Sequence, residues 1–142
     1  MDKKLTVLFL CTGNSCRSQM AEGFARAYHT DTIDAYSAGI EKHGMNERAI
    51  KVMAEKGIDI TTQYSKTIDE LDVEFDLVIT VCGHANESCP VFSGNTKVKH
   101  IGFDDPPKLA KEATTEADAL PHYRRVRDEI ESTLNDNDWF NE

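Results

Sequence analysis

Short apolar runs alternate along this chain with segments whose hydrophobic residues recur at helical spacing. The first run, Leu5–Leu10, is interrupted only by one threonine. A second covers 75–81, and its centre, Leu77-Val78-Ile79, is too uniformly apolar for a strand with one exposed face. We therefore predict a central parallel strand there. Residues 33–37 and 98–103 predict two further strands.

The segments between these runs predict helices. Helically spaced apolar residues indicate an amphipathic helix over 18–29. Asn46 can cap a second helix that stops at Gly57, whereas residues 58–72 are polar and irregular. A final helix, with its entry placed near Pro121, is marked by Tyr123, Val126, Ile130 and Leu134.

This order of elements predicts an α/β fold, a small four-stranded parallel sheet with helices on both faces. The 142 residues, 39% of them hydrophobic, suit a single domain over 1–142, and no repeat or linker interrupts them. Cys11, Cys82 and Asp105 each follow a different predicted strand. Because the carboxyl ends of parallel strands lie at one edge of the sheet, we expect these three residues to converge there.

Charge and composition exclude several classes of function. The net charge of −9 argues against a nucleic-acid partner, since phosphate backbones bind basic surfaces. No run has the length of a membrane span, and no cleavable signal precedes the first strand. We expect a cytoplasmic protein without a membrane partner. In that reducing compartment, its four cysteines serve catalysis or metal binding more often than structural disulfides.

The stretch Cys11–Ser18 reads as strand, tight loop and helix start. Such a loop directs backbone N–H groups and the positive end of the helix dipole at one point, so it can bind an oxyanion. The same field favours the thiolate form of Cys11, which makes that residue the candidate nucleophile. Arg17 can offer its fork of donors to the anion, and Ser18 can donate its hydroxyl to the sulfur. The predicted oxyanion-binding residues are Thr12, Gly13, Asn14, Ser15, Cys16 and Arg17.

Two other interpretations of this loop fit less well. A nucleotide-binding P-loop would need a lysine at its end and a second glycine, and this loop has neither. The stretch could also be an ordinary turn with a small buried cysteine. The joint presence of a cysteine, an arginine six residues later and a serine at a strand-to-helix junction argues against that.

The loop resembles the phosphate loop of low-molecular-weight protein tyrosine phosphatases. It is more similar to that of the thioredoxin-coupled arsenate reductases built on the same fold. The resemblance extends over nearly the whole chain, through the Cys82 and Cys89 pair, the Asp105-Pro106 element and the terminal helix. Alone, Asp105 would be read as part of an Asp-Pro turn. The resemblance implies that it is a general acid, and we treat Asp104 as its solvated neighbour.

Cys82 and Cys89 distinguish the two groups of enzymes. A phosphatase needs one thiolate, whereas reducing arsenate takes two electrons, which a dithiol supplies. The resemblance implies that Cys11 attacks arsenate, that Cys82 then attacks the Cys11 sulfur, and that Cys89 finally forms a Cys82–Cys89 disulfide for thioredoxin to reduce. Arsenate and thioredoxin are thus the expected partners of a monomer that needs no organic cofactor.

Three alternatives remain open at this stage. A tyrosine phosphatase would use Cys11, Arg17 and Asp105 alone. A thiol redox sensor or adaptor would bind partners without turnover. A zinc site from Cys82, His84 and Cys89 matches no standard spacing and lacks a fourth ligand.

The spacing of Cys82 and Cys89 predicts a conformational change. In a continuous helix they would lie about 10 Å apart along the axis at about 1.5 Å per residue. A disulfide needs Cα atoms within about 7 Å of each other. We expect this segment to unwind on oxidation, with Gly83 as the hinge.

Related reductases hold a potassium ion near the loop with residues that map onto Asn14, Glu22 and Ser37, together with an acidic residue near position 65. This chain has Ser65 followed by Lys66 there. We expect the Lys66 ammonium to occupy or repel the cation, so that potassium has little effect.

Overall fold

The structure, a computed structural model, describes residues 4–87, 92 and 96–136, without the side chains of residues 84 and 86. Its strands are β1 (Leu5–Cys11), β2 (Ile33–Gly39), β3 (Leu77–Thr80) and β4 (Lys97–His100). Its helices are α1 (Arg17–Tyr28), α2 (Glu47–Glu55), α3 (Gly83–Glu87), α4 (Pro106–Leu109) and α5 (Glu116–Asn135).

The four strands form one parallel sheet in the order β2-β1-β3-β4. Strands β1 and β3 are central, and both consist mainly of fully buried residues, as their uniform apolar runs predicted. Strand β4 lies at the edge, where Lys97, Val98 and His100 are exposed. The predicted α/β class with a four-stranded parallel sheet is confirmed.

Local signals placed most element ends correctly. The Asn46 side chain accepts hydrogen bonds from the backbone N–H groups of Arg48 and Ala49 and so caps α2. Beyond the end of α2, Gly57 adopts a left-handed φ of 77°, the conformation for which glycine is favoured. Helices α1, α2 and α5 pack against one another, while α3 contacts the central strands β1 and β3.

The predicted entry of the last helix near Pro121 is wrong. Helix α5 begins at Glu116, and Pro121 lies inside it. Thr115 caps the helix by accepting a hydrogen bond from the Asp118 N–H. Burial of Ala119 and Leu120 stabilises the same turns. These contributions outweigh the hydrogen bond that Pro121 cannot donate.

Two other segments also differ from expectation. The region 58–72 contains a short 3-10 helix, Ile68–Glu70, that begins with a capping box between Thr67 and Glu70. Strand β4 ends at His100 rather than at 103. The Phe103 N–H donates instead to the Val81 carbonyl, which carries the chain toward the sheet edge beside β3.

No helix in the described part of the chain is long and apolar enough to cross a membrane.

Glu55 joins α2 to α5 through two arginines. Its carboxylate accepts hydrogen bonds from Arg124 and Arg127, with closest contacts of 2.8 Å. These contacts, led by the one with Arg124, lower the pKa of Glu55 from 4.5 to about 2. Because the folded-state pKa lies below the unfolded one, the stabilisation is present above pH 4.5 and is lost as the pH falls toward 2.

Glu55→Gln is therefore expected to lower the free energy of unfolding at pH 7 by about 1 kcal/mol, a value reduced by solvent screening of this exposed pair. The difference from the wild type should shrink steadily as the pH falls below 4.5. Urea unfolding across that range measures it. Glu112→Gln, at an exposed carboxylate with no ion pair among the described residues, is the matched control. A loss of unfolding free energy in Glu55→Gln that does not change with pH would contradict the prediction.

Candidate active site

The backbone carbonyl groups of the loop between β1 and α1 accept hydrogen bonds from groups that surround the loop. Much of this bonding comes from the segment 39–46, which follows β2 and runs beside the loop. Backbone N–H groups of Ile40, Glu41, His43 and Asn46 donate to the carbonyls of Cys11, Thr12, Gly13 and Ser15, at 3.0–3.2 Å. The remaining carbonyls, of Asn14 and Cys16, accept from the Gln19 side chain and the Met20 N–H. The loop therefore has its acceptors turned away from its centre.

Because the N–H group of a trans peptide points opposite to its carbonyl, the N–H groups of the loop point toward its centre. Those of residues 13–16 donate to no acceptor in the described part of the chain. Asn14 has a left-handed φ of 49°, which asparagine tolerates better than most residues. Helix α1 starts at Arg17, so its positive end points at the same place. Geometrically, residues 12–17 form a cradle suited to an oxyanion.

The orientation of the Asn14 amide determines which way the Ser18 hydroxyl points. The Asn14 Oδ1 accepts from Gln19 Nε2 and from the Lys66 N–H. Its Nδ2 must then donate, to Ser18 Oγ at 2.8 Å and to Ser37 Oγ at 3.0 Å. Because Ser18 Oγ accepts this bond, its own proton is available for Cys11 Sγ, 2.9 Å away. The arrangement suits a thiolate at Cys11.

Glu22 terminates this chain of hydrogen bonds. Ser37 Oγ donates to Glu22 Oε1 at 2.5 Å. The carboxylate is almost fully buried and is paired with Arg26 Nε at 2.7 Å. Since a carboxylate only accepts hydrogen bonds, Glu22 fixes the direction of the Ser37 hydroxyl.

Lys66 reaches the same carboxylate from the far side of the loop. Its ammonium lies 3.9 Å from Glu22 Oε1 and donates to the Tyr64 carbonyl at 3.0 Å. The side chain is only 6% exposed. Burial lowers the pKa of Lys66, and the Glu22 carboxylate opposes that shift. A cationic group of the chain itself thus lies beside Glu22, one of the three residues expected for a potassium site together with Asn14 and Ser37.

Cys82 lies next to the loop. Its Sγ is 3.2 Å from the hydroxyl of Thr12, the residue that follows Cys11. The Ala85 N–H, in the first turn of α3, is directed at the same sulfur at 3.4 Å. The structure therefore brings the buried thiols of Cys11 and Cys82 to one edge of the sheet. Cys89 lies outside the described residues.

Arg17 connects the cradle to the Asp105 segment. Its Nη1 donates to the Phe103 carbonyl at 3.0 Å, and its Nη2 lies 3.7 Å from Asp105 Oδ1. Asp105 precedes α4, whose first two residues are prolines. Its side chain is 39% exposed and so accessible at the cradle's rim. The predicted convergence of residues 11, 82 and 105 is observed.

Cys16 is a thiol of a different kind. It is buried at the start of α1. Burial raises the pKa of the Cys16 thiol strongly, and the neighbouring Cys11 and Asp105 add to the shift. Cys16 therefore stays protonated at neutral pH and is unsuited to nucleophilic attack.

No group of three metal-ligating side chains is found among the described residues. Of the zinc-site alternative, only the Cys82 side chain belongs to that part of the chain.

Sequence reasoning missed the supports of the loop. Gln19 donates to Asn14 and Tyr64, and Ser65 donates to the Gly13 carbonyl. The contacts of Gln19 with Tyr64 and of Ser65 with Gly13 cross long stretches of sequence and have no local pattern. Gly39, two residues beyond the predicted strand 33–37, was the one available signal, because a Cβ there would collide with the loop backbone.

Comparison with known proteins places this site in context. The sequence profile of the low molecular weight phosphotyrosine protein phosphatase family matches residues 6–138. An arsenate reductase from Halalkalibacterium halodurans is 55% identical over 131 residues, 92% of this chain and 91% of that protein. An arsenate reductase from Bacillus subtilis is 50% identical over 135 residues, 94% of each chain. A solved arsenate reductase in its oxidized state superimposes with a TM-score of 0.74 at 30% identity, covering 92% of this chain and 93% of that one.

Gly39→Ala is expected to destabilise the protein by about 1–3 kcal/mol through overpacking. The added Cβ would lie 2.4 Å from the Glu41 carbonyl oxygen and 2.8 Å from the backbone of Thr12 and Asn14. Thermal unfolding measures the loss. Gly83→Ala is the control, because a Cβ there meets no atom within 4 Å. Equal melting temperatures for the two variants would show that the loop does not depend on this close approach.

Proposed function

Because the chain belongs to the low molecular weight phosphotyrosine protein phosphatase family, and its relatives include arsenate reductases at 50–55% identity, we propose that it reduces arsenate to arsenite. The observation that carries this proposal is the placement of Cys82 Sγ 3.2 Å from Thr12 Oγ1. A second thiol beside the nucleophile has no use in phosphate ester hydrolysis. It is the group required to reduce a cysteine–arsenic adduct, because its attack on the Cys11 sulfur leaves the sulfur–arsenic electron pair on arsenic while the two thiols are oxidised to a disulfide.

In the proposed first step, the Cys11 thiolate attacks arsenate held by the N–H groups of residues 12–17. A Cys11 sulfur–arsenic bond forms and an arsenic–oxygen bond breaks. Asp105 supplies the proton that lets the oxygen leave as water. Arg17 neutralises the charge of the anion, and Ser18 keeps its proton directed at the sulfur until the attack.

In the second step, Cys82 attacks the Cys11 sulfur. A Cys11–Cys82 disulfide forms, and the electron pair of the sulfur–arsenic bond remains on arsenic, which leaves as arsenite. The contacts of Cys82 with the Thr12 hydroxyl and the Ala85 N–H hold its sulfur beside the loop that carries Cys11. Cys89 then attacks Cys82, which frees Cys11 and leaves Cys82–Cys89 for the thioredoxin dithiol to reduce.

Only a reductase should consume NADPH in proportion to arsenate when mixed with thioredoxin and thioredoxin reductase. Cys82→Ser should abolish that consumption, because no second thiol can release arsenite. The same variant should still bind inorganic phosphate, measured by NMR titration, which controls for an intact cradle. Turnover of aryl phosphates without arsenate-dependent NADPH consumption would instead support a phosphatase. Phosphate binding without turnover of either arsenate or aryl phosphates would support an adaptor.

Disulfide mapping tests the proposed order of thiol attack. After a single turnover of Cys89→Ser, mass spectrometry should find Cys11 bridged to Cys82. A bridge between Cys11 and Cys16 instead would contradict the relay.

We also propose that the Lys66 ammonium takes the place of a bound potassium ion. The supporting observation is its buried position beside Glu22, the carboxylate that ends the hydrogen-bond chain from Cys11. Rates in KCl and NaCl at equal ionic strength should then agree for the wild type. Lys66→Gln should lower the rate and make it respond to potassium.

Lys42→Gln removes an exposed lysine that is paired with Glu70, and it serves as the control. A steep activation of the wild-type protein by potassium, absent with sodium, would overturn the assignment of Lys66.

A further inference from the structure

Two arginines hold the segment 103–105 from opposite sides. On the inner side, Arg17 donates to the Phe103 carbonyl and lies 3.7 Å from the Asp105 carboxylate. On the outer side, Arg125 Nη2 donates to Asp104 Oδ2 at 2.9 Å. Asp104 and Asp105 are adjacent, so an ion pair at the first restrains the position of the second.

The inner contact competes with anion binding. The guanidinium of Arg17 is the side chain best placed to neutralise an oxyanion in the cradle. In the structure, part of that guanidinium is engaged by Phe103 and Asp105. An oxyanion with one or two negative charges attracts the same N–H groups and repels the Asp105 carboxylate. Occupation of the cradle therefore weakens the inner contact at the moment when Asp105 is needed.

The outer contact does not compete with the anion. Arg125 is on α5, and its Nη1 also donates to Glu129 Oε2 at 2.6 Å, one turn along the same helix. This second pair orients the guanidinium toward Asp104 before any ligand binds. Helix α5 is anchored by Val126 and Ile130, which are fully buried. The outer arginine thus extends from a rigid element.

We propose that the Asp104–Arg125 ion pair keeps Asp105 over the cradle once Arg17 has turned to the anion. Asp104 and Arg125 are positioning residues, since they act through Asp105 and do not touch the anion. This role rests on the proposed function of Asp105 as the general acid. It gives Asp104, expected from sequence to be only a solvated neighbour, a specific partner.

The expected effect is modest, because both partners are about half exposed. Loss of the pair should lower kcat for arsenate by roughly two- to fivefold, with KM changed by less than about twofold. A defect in kcat alone is expected because the anion's own contacts remain intact.

Arg125→Met tests the inference, and Arg124→Met is a closely matched control. Arg124 is the neighbouring residue, is 43% exposed against 45% for Arg125, and also pairs with a carboxylate, that of Glu55. It does not contact residues 103–105. Only the Arg125 variant should show the kcat defect.

Amide exchange gives a readout that does not need turnover. The Phe103 N–H, bonded to the Val81 carbonyl, reports on the attachment of the segment. Without ligand, Arg17 still holds Phe103, so Arg125→Met should exchange at this site like the wild type. At saturating inorganic phosphate it should exchange several-fold faster than both the wild type and Arg124→Met.

A double variant separates the ion pair from its individual members. Asp104→Asn combined with Arg125→Met should be no worse than either change alone, because both remove one interaction. Additive losses, or a Phe103 exchange rate that phosphate leaves unchanged in Arg125→Met, would overturn the inference. If Arg125→Met shows the phosphate-dependent exchange effect but the wild-type protein reduces no arsenate, the proposed function is overturned and the role of the Asp104–Arg125 pair still stands.

Discussion

The candidate site depends on the outward hydrogen bonding of the loop carbonyls at residues 11–16. A backbone carbonyl turned into the cradle would repel an anion, and an unbonded one buried in the protein would cost about 1–3 kcal/mol. The segment 39–46 removes both problems for four of these carbonyls, and the Gln19 side chain and the Met20 N–H do so for the other two. The N–H groups on the opposite sides of the same peptides then face the centre of the loop together. The loop backbone thus provides an arrangement suited to an anion.

A directed chain of side-chain hydrogen bonds adds to this backbone arrangement. The buried carboxylate of Glu22 accepts from Ser37, Ser37 accepts from Asn14, and Asn14 donates to Ser18 beside the nucleophile. Each bond has only one possible donor, because the Asn14 oxygen is already occupied by two other donors. Arg26 and Lys66 offset the charge of the buried carboxylate. The buried charge of Glu22 thereby influences the orientation of the Ser18 hydroxyl through the chain of hydrogen bonds.

The parallel sheet explains why the chemistry gathers where it does. Cys11, Cys82 and Asp105 follow three parallel strands, so the sheet delivers them to one edge even though they are far apart in sequence. The Thr12 contact of Cys82 and the Arg17 contact of Asp105 bring both residues to the same loop. A second thiol and a carboxylate can therefore be placed beside the β1–α1 loop without altering the fold, which fits the similarity of this chain to arsenate reductases within a phosphatase family.

Sequence alone determined the features that follow from local physics. The apolar runs specified the central strands, Asn46 and Gly57 marked the ends of α2, and the stretch from Cys11 to Ser18 predicted the loop between β1 and α1. Only the tertiary structure decided what holds that loop in place. Gln19, Ser65 and the segment 39–46 act through contacts that no local periodicity encodes, and the Asp104–Arg125 pair depends on how α5 packs beside the sheet edge. Even the start of α5 was decided by burial of Ala119 and Leu120, a tertiary contribution that outweighs the local preference of Pro121.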